Sequence, residues 1–137
     1  MQQRRKKNAG FTLIEILFTM AIGAFALLCY LGATLTITQH SEAAYEKSVA
    51  MQDALRVVEQ MRNTSLTGTF PANVTTAYPN NTAVAGFTNL KNQAVNVSYV
   101  NTTADPLDVT VSVTWMERGV RSANAALRTL ITKREMT

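Results

Sequence analysis

The sequence predicts an α+β fold, with a long N-terminal helix followed by a small antiparallel sheet. Three observations carry this. From Phe11 onward no proline occurs until Pro71, and residues 11–38 hold one formal charge, Glu15. Beyond a polar break at Gln39, His40, Ser41 and Glu42, the residues Met51, Leu55, Val58 and Met61 recur at steps of four and three, which marks one apolar helix face. Finally, Val95, Val97 and Tyr99, and then Leu107, Val109, Val111, Val113 and Trp115, alternate with polar residues, the period of strands with one buried face.

A single helix over about residues 11–63 is expected, near 80 Å long at about 1.5 Å per residue. Its first part, to residue 38, is apolar all round and exceeds the ~20 residues a bilayer span needs. Its second part, 39–63, is amphipathic, with Lys47, Arg56, Glu59 and Arg62 mostly off the apolar stripe. That stripe (Met51, Leu55, Val58, Met61) is expected to pack on the C-terminal domain. Gly23 and Gly32 each weaken a helix by up to about 1 kcal/mol relative to alanine.

Residues 63–92 are rich in Thr, Asn, Gly and Pro and read as a long loop, with a short strand near residues 83–87. Strands are expected over 94–100 and 107–115, joined by a turn at 101–106, with a further turn at Glu117, Arg118 and Gly119. Residues 122–132 are ambiguous, since Ala123, Ala125 and Leu127 alternate while the alanines also suit a helix. A third antiparallel strand is favoured, because a two-stranded hairpin is marginal alone. The expected organisation is 1–10 leader, 11–38 membrane half of the helix, 39–63 amphipathic half, and 64–137 loop and β head.

The 137 residues carry a formal charge of +4, but Arg4, Arg5, Lys6 and Lys7 supply all of it. From Phe11 on, the balance is neutral, so a high isoelectric point gives no case for nucleic-acid binding by that part of the chain. Four cations beside an apolar span instead set topology: N-terminus cytoplasmic, C-terminal body across the membrane. The single cysteine, Cys29, excludes an intrachain disulfide and reads as a small apolar residue within the span. A secretory signal peptide would place small residues behind a short apolar core. Here Ala9-Gly10 stands in front of it, so a cut after Gly10 leaves the span in the mature chain.

Together, the basic leader, Gly10, and Phe11-Thr12-Leu13-Ile14-Glu15 before an unbroken apolar helix resemble the N-terminus of type IV prepilins and of type II secretion pseudopilins, over roughly the first 35 residues. The resemblance implies a pilin-like fold and cleavage between Gly10 and Phe11, followed by N-methylation of Phe11. Glycine suits the scissile position because a peptidase needs close backbone approach; a hinge before the helix is the plainer reading. Partners implied are other major and minor pilins, a prepilin peptidase/methyltransferase and an inner-membrane assembly platform. The implied location is the inner membrane, single-pass with a periplasmic C-terminal domain, before assembly into an extracellular pilus. Major pilins often carry proline near the position of Gly32, which this chain lacks.

A carboxylate within a span costs about 2.5–3.5 kcal/mol at its centre, less near its end, where Glu15 lies. Two readings stay open. Thr12 and Glu15 have capping-box spacing, and an acid suits a helix N-terminus. By resemblance, Glu15 would pair with the free amine of Phe11 on a neighbouring subunit.

Nothing supports catalysis, a metal or a cofactor. His40 is the single histidine, no Cys/His cluster has metal spacing, and no phosphate loop or nucleophile motif occurs. Asp105 and Asp108 offer too few oxygens for calcium and read as turn and strand-edge residues. The Asn-x-Ser/Thr triplets follow from composition. The expected role is a structural minor pilin of the pilus-modification kind, acting in priming, tip assembly or adhesion. The alternatives are a minor pseudopilin of type II secretion, and a membrane-anchored periplasmic binding domain. The last would bind DNA only through a basic patch, with Arg118, Arg121, Arg128, Lys133 and Arg134 as candidates.

Overall fold

A computed structural model describes residues 12–133. The elements run α1 (Leu13–Ser65), α2 (Ala72–Ala77), β1 (Thr82–Ala83), β2 (Ala94–Tyr99), β3 (Leu107–Glu117) and β4 (Arg121–Ile131). A 53-residue helix thus precedes a small antiparallel sheet, consistent with the type IV pilin-like α+β fold. The chain divides into two compact units between His40 and Ser41, and α1 contributes to both.

In the first unit the helix runs without a break through Gly23 and Gly32. Its polar side chains are satisfied locally. The hydroxyls of Thr19, Thr34, Thr36 and Thr38 each donate to a carbonyl three or four residues back, at 2.9–3.2 Å. Such back-bonding lets threonine sit in hydrocarbon without an orphan donor.

The second unit is built on a four-stranded meander in the order β1-β2-β3-β4, antiparallel throughout. β3 pairs with β4 along their whole lengths, from Leu107↔Ile131 to Glu117↔Arg121. The alternation read in the sequence is seen directly: Val95, Val97 and Tyr99 of β2 and Leu107, Val109, Val111, Val113 and Trp115 of β3 are buried. They form one core with Ala50, Ala54, Val57, Val58 and Met61 of α1. Residues 121–131 are a strand, which resolves the alanine ambiguity: Ala125 and Ile131 point into the core.

Two expectations need correction. Residues 63–92 are more than a loop. They carry the one-turn helix α2 and the strand β1, which starts one residue before the expected segment and pairs with β2 at Thr82↔Val97 and Ala83↔Asn96. Asn73 organises the entry: its Nδ2 donates to the Thr64 carbonyl at 2.7 Å and to that of Thr67, closing the end of α1. The second correction concerns the stripe on α1. Val58 and Met61 are buried, but Met51 lies at the core's margin and Leu55 is exposed. The buried face is Ala50, Asp53, Ala54, Val57, Val58 and Met61. Small alanines let the helix approach valine-rich strands closely, and Met51 and Leu55, each one residue on, are turned about 100° away.

Candidate assembly site

Of the residues singled out for processing and topology, Arg4, Arg5, Lys6, Lys7, Gly10 and Phe11 lie outside the described residues. Thr12 and Glu15 lie inside them. The Thr12 carbonyl accepts from the Glu15 amide at 3.0 Å and from the Ile16 amide at 3.3 Å, which starts the helix. The reciprocal side-chain bonds of a capping box do not form: among the described residues the Glu15 carboxylate has no partner. Glu15 therefore stands in the first turn of α1 as the single formal charge of a surface made of Leu13, Ile14, Leu17, Phe18, Ile22 and Phe25, all exposed.

That surface is continuous. An 18-residue window of α1 is apolar enough to cross a membrane, and none of it is buried within the chain. Ile14, Leu17, Phe18, Ala21, Ile22 and Phe25 line a shallow apolar recess, with the i, i+3, i+4, i+7 spacing that accepts ridges of a second helix. Gly23 and Gly32 open the helix surface further, since a Cβ at either position would meet no other atom within 4 Å.

The second unit holds two polar ties that sequence reasoning missed. Asp53, buried on the inner face of α1, accepts from Gln93 Nε2 at 2.7 Å and from Asn89 Nδ2 at 3.1 Å to each oxygen. Gln93 is fixed in turn because its Oε1 accepts from the Leu90 amide at 3.1 Å. Glu46 accepts from the Trp115 indole at 3.0 Å and from the Arg118 amide at 3.3 Å. The signal for Asp53 was its position between Ala50, Ala54 and Val57, one helical face; a search for large apolar residues passes over it. No local pattern announces Glu46, whose partners lie about seventy residues away.

The basic candidates of the head are largely engaged. Arg121 pairs with Glu117 at 2.9 Å and Arg128 with Asp108 at 2.5 Å. The hydrogen bond from Arg128 holds the Asp108 carboxyl below the usual carboxylate range, and the same bond raises Arg128. Arg134 lies outside the described residues. Tyr99 donates its hydroxyl to the Tyr78 carbonyl at 2.7 Å. Burial, helped by the neighbouring Tyr78, pushes its phenol up to about 12. Among the described residues no group of three or more His, Cys, Asp or Glu side chains is placed to hold a metal ion.

Residues 5–28 match the family model of the prokaryotic N-terminal methylation motif. The match takes in Arg5, Lys6 and Lys7 of the basic leader, then Gly10, Phe11, Glu15 and the first half of the apolar span. No curated protein and no solved structure matches the chain.

Proposed function

We propose that this chain is a prepilin of the type IV pilin and pseudopilin class, and that its mature form is a minor structural subunit of a type IV pilus. The observation that carries the reading is the bare apolar surface of α1 with one carboxylate, Glu15, in its first turn and without a partner among the described residues. The methylation-motif match over residues 5–28 supports it. Cleavage between Gly10 and Phe11 would free an amine whose unperturbed pKa, about 7.7–8.0, keeps it largely protonated at neutral pH. N-methylation would preserve that charge. In a bundle of such helices, Glu15 of one copy is the natural counter-ion for Phe11 of the next. The pair offsets the cost of a carboxylate in hydrocarbon, while recesses such as Ile14–Phe18–Phe25 take neighbouring side chains. Before assembly the span holds the chain in the inner membrane, with Arg4, Arg5, Lys6 and Lys7 on the cytoplasmic side. Prepilin peptidase, the assembly platform and other pilins are its partners in this reading. A type II secretion pseudopilus would use the same chemistry, and the two differ in which filament carries the protein.

The test is intact-mass analysis of the protein from sheared surface filaments and, in parallel, from inner membranes. A filament species beginning at Phe11 and heavier by one methyl group is expected, at a small fraction of the dominant pilin. If every copy retains residues 1–10 and stays in the membrane, the proposal fails and an anchored binding domain takes its place.

A further inference from the structure

β4 closes one side of the sheet, and the hydrogen-bond pattern fixes which of its residues look outward. The Val95 and Val97 carbonyls of β2 accept from the Val84 and Asn81 amides, so the odd residues of β2 face β1 and the even ones face β3. Even residues of β3 point back to the β2 side. The Asp108 carbonyl accepts from the Val100 amide, and the Met116 amide donates to the Lys91 carbonyl. The odd residues of β3 serve β4, where they pair with odd residues from Arg121 to Ile131. Alternation then turns the N–H and C=O of Ser122, Asn124, Ala126, Arg128 and Leu130 away from the sheet. Among the described residues none of these groups has a backbone partner.

This edge lacks the devices that normally blunt one. β4 holds no proline, lysine or bulge, and its ladder with β3 is unbroken over 11 residues. The opposite edge differs: β1 has 2 residues, with Pro79 shortly before them. Within the second unit α1 runs beside β4 in the same direction. Ala43 and Ala44 border a recess with Trp115 and Ala123 near the start of the strand, and Asn63 and Leu66 border another with Ile131 at its end. Between the recesses Leu127 and Thr129 are half-buried. An unpaired backbone row thus adjoins side-chain recesses on one face, the two features by which a sheet edge takes up an extended peptide. Charge along the trench largely cancels, because Arg62 pairs with Glu59, Arg121 with Glu117 and Arg128 with Asp108. Lys47 alone of the lining charges has no charged partner among the described residues. A nearly uncharged strand fits this surface, and a polyanion does not.

We propose that the free edge of β4 takes up an extended segment of a different subunit as a fifth strand, its alternate apolar side chains lying toward α1. A second copy is a poor donor. Two β4 edges paired antiparallel about a twofold axis would set their α1 helices running in opposite directions, whereas subunits drawn from one membrane share a direction. The β1 edge of a copy is too short to match β4. The choice of donor rests on the proposed filament role; the uptake of a strand by β4 does not.

The test uses amide exchange, read by NMR, on the full-length protein in phosphatidylcholine nanodiscs. The probe is a synthetic peptide with the sequence of β3 (Leu107–Glu117), whose alternation already suits β4 on its other side. In the protein alone the amides of Ser122, Asn124, Ala126, Arg128 and Leu130 should exchange rapidly, and those of Ala123, Ala125 and Leu127 slowly. Bound peptide should slow the first set about tenfold or more and leave the second unchanged. Docked antiparallel with its valines toward α1, the peptide faces β4 with the amides copied from Thr110, Ser112 and Thr114. N-methylation at these positions should lower affinity about tenfold, while N-methylation at those copied from Val109, Val111 and Val113 should leave it within about twofold. Ala126→Pro removes an outward donor and no bond to β3, so it should weaken the unmodified peptide about tenfold while the odd-numbered amides keep their protection. The N-methylated peptides need no variant, so their result stands if the proline variant fails to fold. No protection by the peptide, or equal loss with both N-methylated forms, overturns the proposal. Protection already present in the protein alone overturns it too, and growth of that protection with protein concentration would assign the edge to a second copy. None of these outcomes touches the mass analysis of filaments, so the filament role is judged separately.

Discussion

The Trp115 indole N–H and the Glu46 carboxylate meet at 3.0 Å across sixty-nine residues of sequence. The same carboxylate receives the Arg118 amide, so one half-buried side chain of α1 fixes both the end of β3 and the turn that follows. Removing it in Glu46→Ala leaves two donors without an acceptor. Hydrogen bonds to charged groups contribute about 1.5–3 kcal/mol, and partial exposure should put the loss near ~1–2 kcal/mol. Urea unfolding of the full chain in micelles measures it. Trp115→Phe keeps most of the ring and deletes the donor, so the double-mutant coupling isolates the bond. Additive losses would show that the pair does not matter.

Asp53 should prove the more costly residue. Its carboxylate is surrounded by amide donors from Asn89 and Gln93, and Gln93 cannot flip without turning its own donor onto the Leu90 amide. Both Asp53→Ala and Asp53→Asn are therefore expected to destabilise by about 1–3 kcal/mol, the asparagine because its own Nδ2 would face donors. If the asparagine variant matched wild type in urea midpoint, the acceptor-only account would be wrong.

These two carboxylates mark where the sequence stopped being legible. The apolar span, the amphipathic continuation and the period-two strands were readable because each is a local pattern with a single physical solution. Leu107, Val109, Val111, Val113 and Trp115 had to share a face. On α1 the stripe of large residues misleads, because size does not mark burial there. The sheet, with its branched valines, instead needed alanine at positions 50 and 54, and Leu55 turned outward. β1 and α2 were hidden for another reason. A two-residue strand has no period, and α2 is held by Asn73 and its neighbours. The Thr12–Glu15 spacing fits a cap as well as an intersubunit pair, and the structure leaves the acid unpartnered among the described residues, the feature on which the assembly reading rests.

Stability should fall at both pH extremes for identifiable reasons. The folded Asp108 carboxyl is depressed by Arg128, so its contribution is present above the unfolded value of about 3.9 and is lost as pH falls through the lower folded value. Asp108→Asn should flatten that acid limb of the pH–stability curve. Tyr99 works the other way. Its phenol is raised to about 12, so its contribution is complete below the unfolded value of about 10 and declines between there and about 12. Tyr99→Phe should remove that alkaline slope. Thermal midpoints across pH provide the check, and unchanged limbs in both variants would count against these assignments.

Glu15 gives the prediction closest to function. Replacing it by leucine removes a carboxylate that is unfavourable in a span, so Glu15→Leu should enter the membrane and be cleaved at Gly10 as well as the parent. Incorporation into filaments should nevertheless fall, because Phe11 amines of neighbouring copies would lose their counter-ion in a low-dielectric bundle. A charge-assisted bond of about 1.5–3 kcal/mol corresponds to roughly a 10- to 100-fold drop in the ratio of filament to membrane protein, read by quantitative immunoblot of sheared and membrane fractions. The control is Leu55→Ala, an exposed change on α1 outside the apolar span, which should leave the ratio unchanged. If Glu15→Leu were processed, inserted and recruited at the parent's ratio, intersubunit pairing would lose its basis. The carboxylate would then serve only the N-terminal dipole of its own helix.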